Sequence, residues 1–502
     1  MSEPAPRIDP TSPADGETTP APLTRGRRID LFRAIPGLGW LAKRRSFQFW
    51  VVLPNLFLFL LFLTAGIAGT PVGNRNIIIV FVWILWWFLL ISLLVPFVSR
   101  IWCTVCPFPF FGEWAQRRAL IKVRAVAPKD RKSGPGVVIG RNRYFGLNLK
   151  WPKRLSNIWI QNIGFLFLCT FAALFLTRPI VSVVVLGSLF VIATTLHLIY
   201  RQRAFCSYVC PVSGFLSLYS MSSTVEVRAK DAGVCDKCKD KGCLAGSEKG
   251  WGCPWYVYPS KLDRNNYCGL CMECVKTCPS DNITVNARPF CSDRLLKGWD
   301  EAWKAFIMLS LALAYSVTFL GPWGFIKDWA NVAEKQDWAG FATYTAILWA
   351  TALVIVPGIY AAAVGLGRFI VRKVPGAALP FKDVFLGFVY PLVPLGLLTW
   401  IAFSLPLILV NGSYIAMVIS DPFGFGWDLF GTANMHWTPV VPEWTPYIQV
   451  VLLLGGLFFA LRVGFAHATR LYRETRVALR AFLPVGCLLG VFVGSLIFLY
   501  AA

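Results

Sequence analysis

The sequence predicts an all-α polytopic membrane protein of about nine transmembrane helices, with a small α+β cysteine-rich unit inserted between its spans. Three observations lead there. Of the 502 residues 56% are hydrophobic and the mean hydropathy is +0.57, more apolar than a water-soluble chain of this length sustains. The chain has 21 Trp and 39 Phe, and aromatic residues collect at lipid and interface positions. Apolar runs of about 20 residues, the length that crosses the hydrocarbon, recur along it.

The elements follow in order. Residues 1–40 open with a Pro-, Thr- and Asp-rich stretch lacking any apolar run, which predicts a disordered cytoplasmic tail and no secretory signal. Spans are expected at about 47–69, 76–98, 157–177, 180–200, 304–324, 342–366, 384–410, 447–467 and 482–500. Pro391, Pro394 and Pro406 interrupt the seventh and predict a kink or a re-entrant turn. The expected domains are the tail, a four-helix membrane unit at 41–225, a cytoplasmic cysteine-rich unit at 226–300, and a C-terminal membrane domain of about five helices at 301–502.

Charge sets the orientation. The net charge is +23, and the basic residues lie beside the spans: Lys43, Arg44 and Arg45, the loop from Arg100 to Arg154, Arg201 and Arg203, Arg368, Arg372 and Lys373, then Arg470, Arg473, Arg476 and Arg480. With about nine spans they all fall on one side, which the positive-inside rule makes the cytoplasm. The C-terminus is then periplasmic, in a bacterial inner membrane. Positive-inside bias and anionic membrane lipid explain the charge; no recognition motif accompanies it, so no nucleic-acid partner is expected.

The chain repeats itself. The second span runs into Arg100-Ile-Trp-Cys103-Thr-Val-Cys106-Pro107, and the fourth into Arg203-Ala-Phe-Cys206-Ser-Tyr-Val-Cys210-Pro211. Each is a hairpin ending in Arg-x-aromatic-Cys and then Cys-Pro on the cytoplasmic side. That arrangement implies a parallel repeat about an axis along the membrane normal.

Chemistry concentrates in 235–279. Cys235-x2-Cys238-x4-Cys243 is followed, after nine residues, by Cys253-Pro254; then comes Cys268-x2-Cys271-x2-Cys274-x3-Cys278-Pro279. The second run is the bacterial two-cluster ferredoxin ligand pattern, in which the fourth Cys ligates the other cluster. Soft thiolates suit iron. The reading is therefore two [4Fe-4S] clusters, A on Cys235, Cys238, Cys243 and Cys278, and B on Cys268, Cys271, Cys274 and Cys253. The first motif is irregular, with x4 where x2 is usual, which leaves the swap into A open. Zinc is the alternative for CxxC pairs, and the two Cys-Pro-terminated sets favour iron–sulfur. Cys291 beside this unit reads as a spare thiol or an alternative ligand.

Cys103, Cys106, Cys206 and Cys210 stay open three ways: a third cluster or metal site, a pair of redox-active dithiols, or structural Cys-Pro turns. Arg100 and Arg203 would offset the negative charge of an all-thiolate site. Cys169 and Cys487 lie inside apolar spans and read as packing. No CxxCH motif exists, which excludes covalent c-type haem, and a bis-His b haem would need two of the three His, His197, His436 and His467. The Gly134–Gly140 stretch faintly echoes a nucleotide loop, but no strand precedes it and Pro135 removes an amide.

Hairpins ending in Cys-x2-3-Cys-Pro, followed by a two-cluster segment, resemble the polyferredoxin membrane-protein family over about residues 45–295. That family includes the membrane ferredoxin subunit of periplasmic nitrate reductase systems and the membrane–ferredoxin part of the nitrous-oxide-reductase regulator. The resemblance implies electron transfer between the quinol pool or a cytoplasmic donor and a periplasmic redox protein or respiratory membrane complex, with quinone as a further ligand. The chain departs from the pattern in its Cys-x2-Cys-Pro first hairpin, in showing no periplasmic flavin-binding domain, and in its extra C-terminal spans. Two other readings compete with an electron-transfer subunit: an assembly or maturation factor that reduces a metal centre or thiol of a respiratory enzyme, and a scaffold subunit of a larger complex. No catalytic triad or paired carboxylates stand out.

Overall fold

A computed structural model describes residues 28–117, 146–147, 149–293 and 296–501. Residues 1–27 of the expected tail and the Gly134–Gly140 stretch lie outside the described residues.

Among the described residues, eight helices are long and apolar enough to cross a membrane: Arg45–Ala68, Ile77–Val98, Pro179–Ile199, Trp299–Leu320, Trp338–Val371, Phe381–Asn411, Pro442–Tyr472 and Thr475–Ala501. The expected third span is the exception. It breaks at Phe171, whose φ −98 and ψ 18 leave the helical range, into Trp159–Thr170 and Ala172–Thr177. Neither piece alone is long enough to span. The seventh has its expected interruption at Tyr390–Pro391, between Phe381–Val389 and Leu392–Asn411. There proline removes an amide from the ladder. Pro406 stays inside the second piece.

The chain divides into two compact units, each assembled from non-contiguous segments. The first comprises residues up to 60, 94–161 and 187–294, and carries every cysteine of the hairpin motifs and of the 235–278 segment. The second comprises 61–93, 162–186 and 295–502. In it, helices Leu392–Asn411, Thr445–Tyr472 and Thr475–Ala501 pack in sequence. A Cβ at Gly464 would run into the Phe482 ring, so the last two helices approach closely only because that residue has no side chain. Cys169 is buried there and its carbonyl accepts the Tyr315 hydroxyl at 2.7 Å. Cys487 lies on an exposed helix face rather than in a packed core.

In the first unit a small antiparallel sheet has the order β1 (Ile29–Asp30), β3 (Ile283–Ala287), β2 (Val225–Ala229). Val225 pairs with Ala287, Val227 with Val285 and Ala229 with Ile283. Val227, Ile283 and Val285 share a core with Cys243, Leu270 and Val275. Over residues 28–40, the described part, the expectation of a disordered tail is corrected. Ile29–Asp30 adds an edge strand, Leu31–Ala34 and Leu38–Lys43 are helical, and Leu31 and Phe32 pack on this core. The Asp30 carboxylate caps the first of these helices through the Phe32 amide at 2.9 Å. The apolar anchors are too few for sequence periodicity to reveal them.

Candidate functional site

Proline places the cysteines. A residue before proline is held in extended conformation, so a helix ends there. Cys106 ends Trp102–Val105 at ψ 135, Cys210 ends Phe205–Val209 at ψ 116, and Cys278 ends Glu273–Thr277 at ψ 117. Each thiol thus leaves its helix at a fixed point. Backbone amides then meet the sulfurs: Ser213 N–H on Cys210 at 3.3 Å, Val257 N–H on Cys253 at 3.4 Å, and Asn282 N–H on Cys278 at 3.3 Å. Such donors stabilise a thiolate over a thiol. Around Cys271 the backbone turns left-handed on both sides, with φ 52 at Leu270 and 60 at Met272. For side chains other than glycine such conformations are costly and concentrate at functional sites.

The cysteines influence one another in overlapping groups, Cys243 also feeling Cys253 and Cys274 also feeling Cys243. Burial raises Cys235, and the neighbouring charges of Cys278 and Cys238 add to it; burial pushes Cys243 up to about 12, with Cys278, Cys235 and Cys238 adding. Burial likewise lifts Cys253 to about 11, with Cys268 contributing; it raises Cys271, with Cys253, Glu273 and Cys268 adding, and Cys274, with Cys271, Cys268 and Cys253 adding. In the hairpins burial raises Cys106 and Cys206 and lifts Cys210 to about 12, and each is raised further by the other hairpin cysteines. The Cys291 amide bonds to the Ser222 carbonyl at 3.1 Å.

The two hairpin repeats interlock through their arginines. Ser99 and Gln202, each just before its arginine, both have φ 58, so the repeat extends to backbone conformation. Each arginine reaches into the opposite repeat. Arg100 donates to the Ser213 hydroxyl at 2.6 Å and to the Asn266 carbonyl. Arg203 pairs with Glu113 at 2.5 and 3.0 Å and donates to the Cys103 carbonyl. Burial alone would lower the Arg203 pKa; the Glu113 carboxylate outweighs it and holds it raised. Glu113 breaks the symmetry of the repeat, since Leu216 and Ser217 occupy the equivalent stretch.

The hairpin set touches the Cys253–Cys274 set directly. The Thr104 hydroxyl donates to the Gly269 carbonyl at 2.5 Å, and the Arg203 amide to the Pro254 carbonyl at 3.1 Å. Trp255, 6% exposed, fills the join: Arg203 lies 4.8 Å and Arg100 5.8 Å from its ring centroid. A Cβ at Gly269 would overlap the same indole. The Cys271 sulfur is close enough to act on Arg203. Sequence reading singled out the arginines but not Glu113, Thr104, Trp255 or Gly269, because their partners lie far away along the chain. The one available signal was the Cys-Pro-Trp triplet at 253–255.

The donor chemistry fits iron–sulfur clusters. Thiols predominate, sulfur-directed amides are present, and buried guanidinium charge stands beside the set with the deepest burial. Among the described residues no three His, Cys, Asp or Glu are arranged to hold a single metal ion.

Sulfur-rich centres on a chain with eight membrane-crossing candidates define an iron–sulfur protein of ferredoxin type associated with the membrane. A family model described as a 4Fe-4S binding domain matches the chain twice, at residues 79–125 and 183–223. Both matches fall on the hairpin repeats, and together they cover well under half of the chain. No curated protein and no solved structure matches it.

Proposed function

We propose that the protein is a membrane electron relay with three cysteine-ligated stations. Cluster A would be held by Cys235, Cys238, Cys243 and Cys278, cluster B by Cys253, Cys268, Cys271 and Cys274, and a third centre by Cys103, Cys106, Cys206 and Cys210. The observation that carries the reading is the join at Trp255, where hairpin and cluster-B loops share backbone hydrogen bonds and two buried arginines. Iron–sulfur clusters supply one-electron steps. The chain's own part is to fix thiol spacing through Cys-Pro turns, to exclude water with Trp255, and to balance thiolate charge with Arg100 and Arg203.

The exposure of the chain supports an order for the stations. The stretch 231–241 around Cys235 and Cys238 is largely exposed, whereas 203–222 around Cys206 and Cys210 is almost entirely buried. Cluster A would then exchange electrons with a cytoplasmic carrier, and the hairpin centre with quinol or a respiratory partner in the membrane. With the broken pair Trp159–Thr170 and Ala172–Thr177 taken together as a ninth crossing, positive-inside bias would put the cysteine loops and N-terminus in the cytoplasm of a bacterial inner membrane and the C-terminus in the periplasm.

The test is EPR-monitored redox titration of the purified protein with and without quinol. Three [4Fe-4S] signals, with the hairpin signal reduced first by quinol, support the relay. Signals that quinol leaves untouched while a metal or thiol of a transient partner is reduced favour the maturation-factor reading.

A further inference from the structure

A recess of about 440 Å³ lies beside the Cys278–Pro279 turn, lined by Lys43, Arg45, Lys249, Lys276 and Asp281. Its charge does not balance. Asp281 takes Lys43 at 2.8 Å, and Lys276 is held at 2.7 Å by Glu273, which stands outside the lining. Arg45 spends its Nε on the Lys249 carbonyl at 3.0 Å. Among the described residues no carboxylate meets the remaining guanidinium nitrogens of Arg45 or the Lys249 ammonium. Two uncompensated cations therefore face one concavity. Arg45 is also the first residue of the membrane helix Arg45–Ala68. The positive end of that helix's dipole adds to the same field.

We propose that this recess binds a phosphate ester. A phosphodiester or phosphomonoester carries one to two negative charges, which matches the two unpaired cations. A guanidinium and ammoniums are the donors that hold phosphate oxygens by charge-assisted hydrogen bonds. The volume suits a headgroup or a small phosphorylated molecule rather than a protein surface. Two sources offer this chemistry: the headgroup of an anionic phospholipid at the start of the first span, and a soluble cytoplasmic phosphate compound. Either would bridge the membrane helix and the Ser247–Gly250 loop, because Arg45 comes from the one and Lys249 from the other. Binding does not depend on the electron-transfer reading.

The test uses the full chain in zwitterionic nanodiscs with or without phosphatidylglycerol. Native mass spectrometry counts retained lipid, and calorimetry follows inorganic phosphate. One retained phosphatidylglycerol that millimolar phosphate does not displace assigns the site to lipid. Saturable phosphate binding in purely zwitterionic discs assigns it to a soluble ligand. In either case Lys249→Gln, an exposed position, lowers affinity by about tenfold, the loss of one charge-assisted contact. Asp281→Asn frees Lys43 and raises affinity. Cluster absorbance serves as the folding control and is unchanged in both variants. Absence of binding in both arms, or affinity indifferent to Lys249→Gln and Asp281→Asn, overturns the proposal.

Discussion

The segment 235–278 gathers its thiols within one stretch of chain, while the hairpin set draws Cys106 and Cys206 together from positions 100 residues apart. The first region is bounded by a small sheet, and part of it lies at the surface. The second is enclosed, and it depends on a buried Arg203–Glu113 pair that joins the two repeats. A local motif can form its site wherever its turns form. A site split between repeats needs the repeats to dock, and the docking residues are the charged ones. The difference predicts that the hairpin set answers to distant substitutions and the local set does not.

The largest effects come from the cysteines. Cys271→Ser is expected to abolish one EPR signal, that of cluster B, while the protein still inserts. Cys206→Ser is expected to remove a different cofactor entirely, and the variant lacking all four hairpin thiols should look the same as the single variant, as groups acting as a unit do. Graded losses across the hairpin series, read by iron content, would break the comparison.

Next is Glu113→Ala, which strands the Arg203 charge with its side chain 1% exposed. Removing one partner of a buried pair costs about 3–5 kcal/mol. Thermal unfolding in detergent should register that loss, and the hairpin signal should fall while cluster A persists. Equal loss from both regions would deny the separation.

Gly269→Ala probes the join, since the added methyl must displace the Trp255 indole. Overpacking costs about 1–3 kcal/mol. The account expects weakened spin coupling between cluster B and the hairpin centre, with both signals still present.

The smallest effect is on labelling rather than stability. A membrane-impermeant thiol reagent should miss Cys103, Cys206 and Cys268 in intact cells and reach their apo forms in inverted vesicles.

What was legible in sequence followed from local chemistry. Apolar length marked the spans, and Pro391 marked the break at Tyr390–Pro391. Cysteine spacing marked the segment at 235–279, and the repeated Arg-x-x-Cys marked the hairpins that the family model matches. The break at Phe171 was not legible, because no proline or glycine signals it. Nor was the edge strand Ile29–Asp30, which exists only because β3 offers it a partner. Glu113 reads as an ordinary polar residue on a short helix until Arg203 arrives from the other repeat. Pairings of this kind are tertiary, and no periodicity announces them.

The measurement that tests the three-station relay most directly is the iron and acid-labile sulfide content of anaerobically purified protein, with EPR to count spins. The account predicts about twelve of each per chain, from three four-iron centres. A content of about eight, with the hairpin cysteines free to alkylation, would remove the third station, and about two zinc ions per chain without visible absorbance would contradict the relay altogether.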